Sequence, residues 1–111
     1  MTYPFSTIAG TATTRDRRYL DRDEVHFRAR ALDATARTHP ITVVNISPHG
    51  LMARCDHDFA QGDRLRVMLP ATGTLPGEVR WALGGRLGLQ FDAAIDLASY
   101  YELLARMLKV G

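Results

Sequence analysis

The feature that most restricts how this chain can fold is a series of short stretches in which apolar and polar residues alternate one for one, closed by a single stretch with helical spacing. Val25, Phe27, Ala29 and Ala31 share one face of an extended segment, and His26, Arg28 and Arg30 share the other. A second strand is expected from about Ile41 to Ser47. Leu51, Ala53 and Cys55 alternate with Met52 and Arg54, and the polar stretch 56–63, with Gly62, separates them from Leu65, Val67 and Leu69. In the last strand pair, Val79 and Trp81 are expected to share the buried face of Leu87, Leu89 and Phe91. A three-residue loop of Leu83, Gly84 and Gly85 pairs Trp81 with Leu87 and Val79 with Leu89, whereas a two-residue loop inverts one set. Trp81 is therefore expected in the core. Beyond Phe91, Leu97, Tyr100, Tyr101, Leu104, Met107 and Leu108 recur at helical steps, with Asp96 as the cap, a Glu102/Arg106 pair and Lys109 in the last turn. Six short strands followed by one helix predict a mainly β protein, a small antiparallel barrel whose open end or flank the helix covers.

With 111 residues the chain has material for one core and one domain. No apolar run approaches the roughly 18 residues that cross a bilayer, and residues 1–14, rich in threonine, read as a mobile tail without an export signal. A soluble, cytoplasmic protein is expected. The one cysteine, Cys55, has no internal disulfide partner, and with His49, Asp56 and His57 it offers too few ligands at useful spacing for zinc. No metal is expected. Ser47 and His49 fall within a turn, with no nucleophile elbow, phosphate loop or paired carboxylates beside them, so no catalysis is expected.

The formal charge is only +2, yet all the basic residues except Lys109 are arginine, and Arg15, Arg17, Arg18, Arg22 and Arg28 lie close together. That local excess points to an anionic partner. Scattered arginines such as Arg37, Arg54 and Arg64 read as solvated surface. The second informative segment is Asn45, Ile46, Ser47, Pro48, His49, Gly50. Asn45 and Ser47 project from one face of a strand while Ile46 enters the core, and proline second and glycine fourth suit a type I turn after Ser47. Arginine complements such a strand end because its planar fork can hold a phosphate or the O6/N7 edge of guanine, and its face can stack on a base.

Arg18, Tyr19, Leu20, Asp21, Arg22 resembles the RxxxR element of PilZ domains, and the segment from Asn45 to Gly50 resembles their (D/N)xSxxG element. The resemblance extends over residues 15–108 and includes the Gly-x-x-Phe pattern Gly88, Leu89, Gln90, Phe91. It implies a PilZ domain over 15–110, with a six-stranded barrel at 24–91, a helix at 96–109 and a ligand-binding arm at 15–23. The implied ligand is the bacterial second messenger cyclic di-GMP, gripped by Arg18 and Arg22, walled by Asn45 and Ser47, and given room by Gly50. In PilZ domains the residue before the first motif arginine influences whether one or two ligands fit. Here it is Arg17, whose cation suits two stacked molecules. No other cofactor is implied. A lone receptor module passes its signal to a protein effector that the sequence does not identify. The alternatives are a PilZ-like protein adaptor with weak or no nucleotide binding and a non-specific nucleic-acid binder, against which the mixed charge beyond the arm and the lack of an evident aromatic platform count.

Overall fold

The computed structural model describes residues 22–110. Its elements are β1 (Asp23–Leu32), β2 (Thr38–Ser47), β3 (Gly50–Arg54), β4 (Arg64–Leu69), β5 (Gly73–Leu83), β6 (Arg86–Phe91) and one helix, α1 (Leu97–Val110). The strands close a barrel in the order β1-β2-β3-β6-β5-β4, with every neighbouring pair antiparallel. The expected mainly β fold, a six-stranded antiparallel barrel with a C-terminal helix, is the one observed.

Alternation directs the inward residues. In β4, Leu65, Val67 and Leu69 are buried and Arg64, Arg66 and Met68 exposed. In β1 the same parity half-buries Val25, Phe27 and Ala29 and fully buries Ala31. Together with Val43, Ile46, Leu51, Val79, Leu87 and Leu89 these side chains fill the barrel, so its interior is a core and not a cavity. Each large apolar side chain so buried contributes on the order of 1.5–3 kcal/mol.

Three β-bulges interrupt the regular ladders: between Glu24 and Phe27 in β1, between Val43 and Asn45 in β2, and between Val79 and Trp81 in β5. The third overturns the expected β5–β6 register. Gly84 and Gly85 have φ of 61° and 78°, the double left-handed form of a two-residue turn whose twist matches the strands, and Leu83 pairs with Arg86. Val79 still faces Leu89, as expected, because Arg80 is the extra bulged residue that absorbs the one-residue difference in loop length. Beyond the bulge the parity is reversed. Trp81 lies opposite Gly88 and is 43% exposed, outside the core in which it was expected.

In α1 the buried stripe is Tyr100, Leu103, Leu104 and Met107, and the helix packs on β1. Leu103 takes a place the spacing did not assign to it, while Tyr101 and Leu108, counted in the stripe, are exposed. At about 100° per residue Tyr100, Leu103, Leu104 and Met107 fall within one arc of the helix, and Tyr101 and Leu108 lie to one side of it.

Candidate functional site

The site grows from the end of β2. The bulge at Val44 resets the parity after Val43, so that Ile46 is buried and Asn45 stands on the outer side. Asn45 is held on two sides: Arg22 Nη1 donates to its Oδ1 at 3.1 Å, and its Nδ2 donates weakly to Met52 Sδ, 3.9 Å away on the paired strand. Arg22 and Asn45, the second arginine of one element and the first residue of the other, are thus in contact although 23 positions apart.

Ser47 is drawn into the turn. It is 3% exposed, and its Oγ accepts from the His49 N–H at 3.2 Å. Used as an acceptor there, the hydroxyl keeps its proton for a second bond. Neither Pro48 nor His49 has positive φ, as the type I form requires. The turn is clamped from behind, since Phe91 N–H donates to the His49 carbonyl at 2.9 Å and Ile95 N–H to the Pro48 carbonyl at 2.8 Å. Gly50 is required by the strands themselves, because a Cβ there would overlap the Leu89 carbonyl oxygen. Its room is taken by β6 backbone.

Behind the site, the Tyr100 hydroxyl lies 2.6 Å from Asp23 Oδ2 and 2.9 Å from the Ile46 carbonyl, sharing its proton between these two acceptors. Asp23 pairs with Ile46 in the β1–β2 register. One helical side chain therefore ties the residue after Arg22 to the residue after Asn45. In the sequence Tyr100 reads only as part of the helix stripe; the signal present was that a buried tyrosine needs a partner for its hydroxyl.

The outer row through Asn45 continues around the barrel. Glu24, Asn45, Met52, Gly88 and Trp81 are successive cross-strand partners. Gly88 leaves the space over which the Trp81 indole lies, since a Cβ at Gly88 would overlap the ring. An exposed aromatic thus shares the row of the Arg22/Asn45 pair. All three bulges adjoin this row, as bulges often do where side chains must be re-aimed. The first and second arginines of the predicted set, Arg17 and Arg18, lie outside the described residues, as does the arm up to residue 21.

The perturbed titrating groups lie elsewhere. A hydrogen bond from His39, with another from Thr35, holds the Asp33 carboxyl well below the usual carboxylate range. Burial pushes the Cys55 thiol up, and the hydrogen-bonded pair Arg64/Asp92 raises the arginine and lowers the acid. A recess of about 300 Å³ beside the Gly84–Gly85 turn is lined by Cys55, His57, Phe59 and Leu83. Among the described residues, no group of three His, Cys, Asp or Glu side chains is placed to hold a metal ion. No helix among them is long and apolar enough to cross a membrane.

The barrel is filled, and it carries its polar cluster on the outer wall, with Arg22 at the root of its first strand. The PilZ domain model matches residues 16–109, and the chain belongs to the PilZ domain family, a family of cyclic di-GMP receptors. No curated protein matches the chain.

Proposed function

We propose that this chain is a cyclic di-GMP receptor of the bacterial cytoplasm that reports the level of the messenger to a protein effector. The observation that carries the reading is the Arg22/Asn45 contact, which brings the ends of two motifs together on one outer row with the exposed indole of Trp81. Arg22 exchanges its neutral amide acceptor for phosphate or for guanine O6 and N7, a charge-assisted, two-pronged bond in place of a single one. Asn45, released, offers an acceptor to the guanine N1 and amino hydrogens and a donor to a ring acceptor. The Ser47 hydroxyl supplies a further bond, and the indole is a face on which a base can stack. Gly50 holds β3 close to β6 beneath them. Arg17 and Arg18, from the arm, complete the grip, and Arg17 provides the cation that allows about two stacked ligands, whose four phosphates repel one another. The chain does no chemistry on the ligand. Its exposed large apolar side chains, Leu83, Tyr101 and Leu108, are where the effector is to be sought.

Calorimetric titration tests the reading. Cyclic di-GMP is expected to bind in preference to cyclic di-AMP, GMP and GTP, because guanine offers arginine two acceptors and adenine only one. Arg18→Ala and Arg22→Ala are each expected to cost about 1.5–3 kcal/mol of binding without unfolding the barrel. No heat at micromolar protein, or equal binding of the adenine dinucleotide, refutes it.

A further inference from the structure

We infer that α1 pairs, antiparallel, with α1 of a second copy of this chain, through a second apolar stripe beside the one that packs on the barrel. The inference does not rest on the receptor reading. At about 100° per residue the apolar positions of α1 cover about 220° of its circumference, from Leu103 round to Ala98, and Ser99, Glu102 and Arg106 lie in the remainder. A helix with one face on a core needs an apolar arc of about 100°, and the barrel buries about that much through Tyr100, Leu103, Leu104 and Met107. Along the rest of the arc Ala98, Tyr101, Ala105 and Leu108 recur at steps of three, four and three, the spacing of a helix-pairing seam. All four are exposed.

The order of sizes along the seam selects the occupant. In an antiparallel pair whose two-fold axis is level with Leu103, Ala98 faces Leu108 of the second copy and Tyr101 faces Ala105 of the second copy, so every large side chain meets a small one and the helices approach closely. A parallel pair sets alanine on alanine and tyrosine on tyrosine, a gap beside a crowded layer. Charge points the same way. Glu102 and Arg106, an i,i+4 pair at 3.4 Å, flank the seam on its solvent side. Turned by the two-fold axis, Arg106 of the second copy comes within about 3 Å of Glu102 along the helix, whereas a parallel pair sets like charges level with one another. On the barrel side the seam is bordered by a groove of about 380 Å³ lined by Glu24, Val25, His26, Met107 and Leu108. Leu97 of the second copy lies level with that groove, and Leu97 is only half-buried in its own chain. Because α1 is about 21 Å long, seam and groove together bury on the order of 1,000 Å² over both copies, at the low end of specific interfaces, which makes the dimer weak and reversible. Tyr101 and Leu108 are thereby assigned to the second copy, and Leu83 stays exposed for an effector.

The test is sedimentation equilibrium of the full chain over a range from about 10 to about 500 µM, which spans the dissociation constants of weak dimers. The mass of wild type is expected to rise with concentration from that of one chain towards that of two. Ala105→Glu and Leu108→Glu each place a charge against an apolar side chain of the second copy and are expected to weaken the dimer more than about tenfold; Tyr101→Ser, which adds no charge, is expected to weaken it less. These side chains are exposed, so melting temperatures of the dilute variants within about 3 °C of wild type are expected and verify the folded state. Orientation is read by oxidising an equimolar mixture of Ala98→Cys and Leu108→Cys, in which mixed disulfide dimers are expected to exceed dimers of either variant with itself. Wild type, whose Cys55 is buried, is the control. One chain per particle at about 500 µM overturns the inference and leaves the stripe to an effector or to residues 1–21 of the same chain. A dimer that Ala105→Glu and Leu108→Glu both retain at wild-type strength overturns it, as does linkage of Ala98→Cys to itself in place of the mixed product. Each of these results leaves the receptor reading standing, because none of them measures cyclic di-GMP.

Discussion

Replacing Tyr100 by phenylalanine removes one oxygen from the point where helix, arm root and site strand meet. Tyr100 is 2% exposed, and its ring keeps its packing in the variant, so the change isolates the hydroxyl. That hydroxyl lies 2.6 Å from a carboxylate oxygen of Asp23 and 2.9 Å from the Ile46 carbonyl. A hydrogen bond to a charged group is worth about 1.5–3 kcal/mol, and water can reach half-buried Asp23 and recover part of it, so a loss near 2 kcal/mol is expected. In a domain of this size each kcal/mol moves the melting temperature by about 4–8 °C, which places the shift at about 8–16 °C. Thermal and urea unfolding followed by circular dichroism measure it. The cycle with Asp23→Ala is expected to show a coupling above about 0.5 kcal/mol, because the two residues share one bond. Cyclic di-GMP binding is expected to weaken as well, since Asp23 no longer fixes the position of Arg22. A stability loss under about 0.5 kcal/mol, or strictly additive single effects, refutes the assignment of Tyr100 as the tie.

Trp81 is the one tryptophan, so its emission reports a single site; at 43% exposure it is expected to emit at long wavelength, to be quenched by acrylamide, and to respond to cyclic di-GMP. Blue emission insensitive to acrylamide would return it to the core. Gly50→Ala is expected to cost about 1–3 kcal/mol in urea unfolding, because the new methyl drives β3 from the Leu89 carbonyl, and a neutral result would contradict that close approach. The folded-state pKa of Asp33 is depressed, so its contribution is present above the ordinary carboxylate value of about 4 and is lost as pH falls below it. Asp33→Asn is accordingly expected to flatten the decline in melting temperature as pH falls below about 4, and a parallel decline in both proteins would count against the His39 bond.

Local pattern was enough for much of this molecule. A period of two needs only neighbouring residues to be read, so the buried faces of β1 and β4, the order of six strands and one helix, and the turn at Pro48–His49 were all legible in the chain. Asn45 and Gly50 were legible too, through residue types that suit a strand end and a turn. Tertiary structure decided where that period breaks. A bulge inserts one residue and reverses every later side chain in the strand, and nothing local at Val44 or Arg80 announces it. That is why Trp81 could be paired correctly in kind with β6 and still be placed on the wrong face. Closure of the barrel decided the rest, because only the packing of β1, β2 and the helix sets Arg22 against Asn45 and Tyr100 between Asp23 and Ile46. Contacts between residues 23 to 77 positions apart follow from how separate strands and the helix pack, an outcome of the summed burial of the whole core that no single segment encodes.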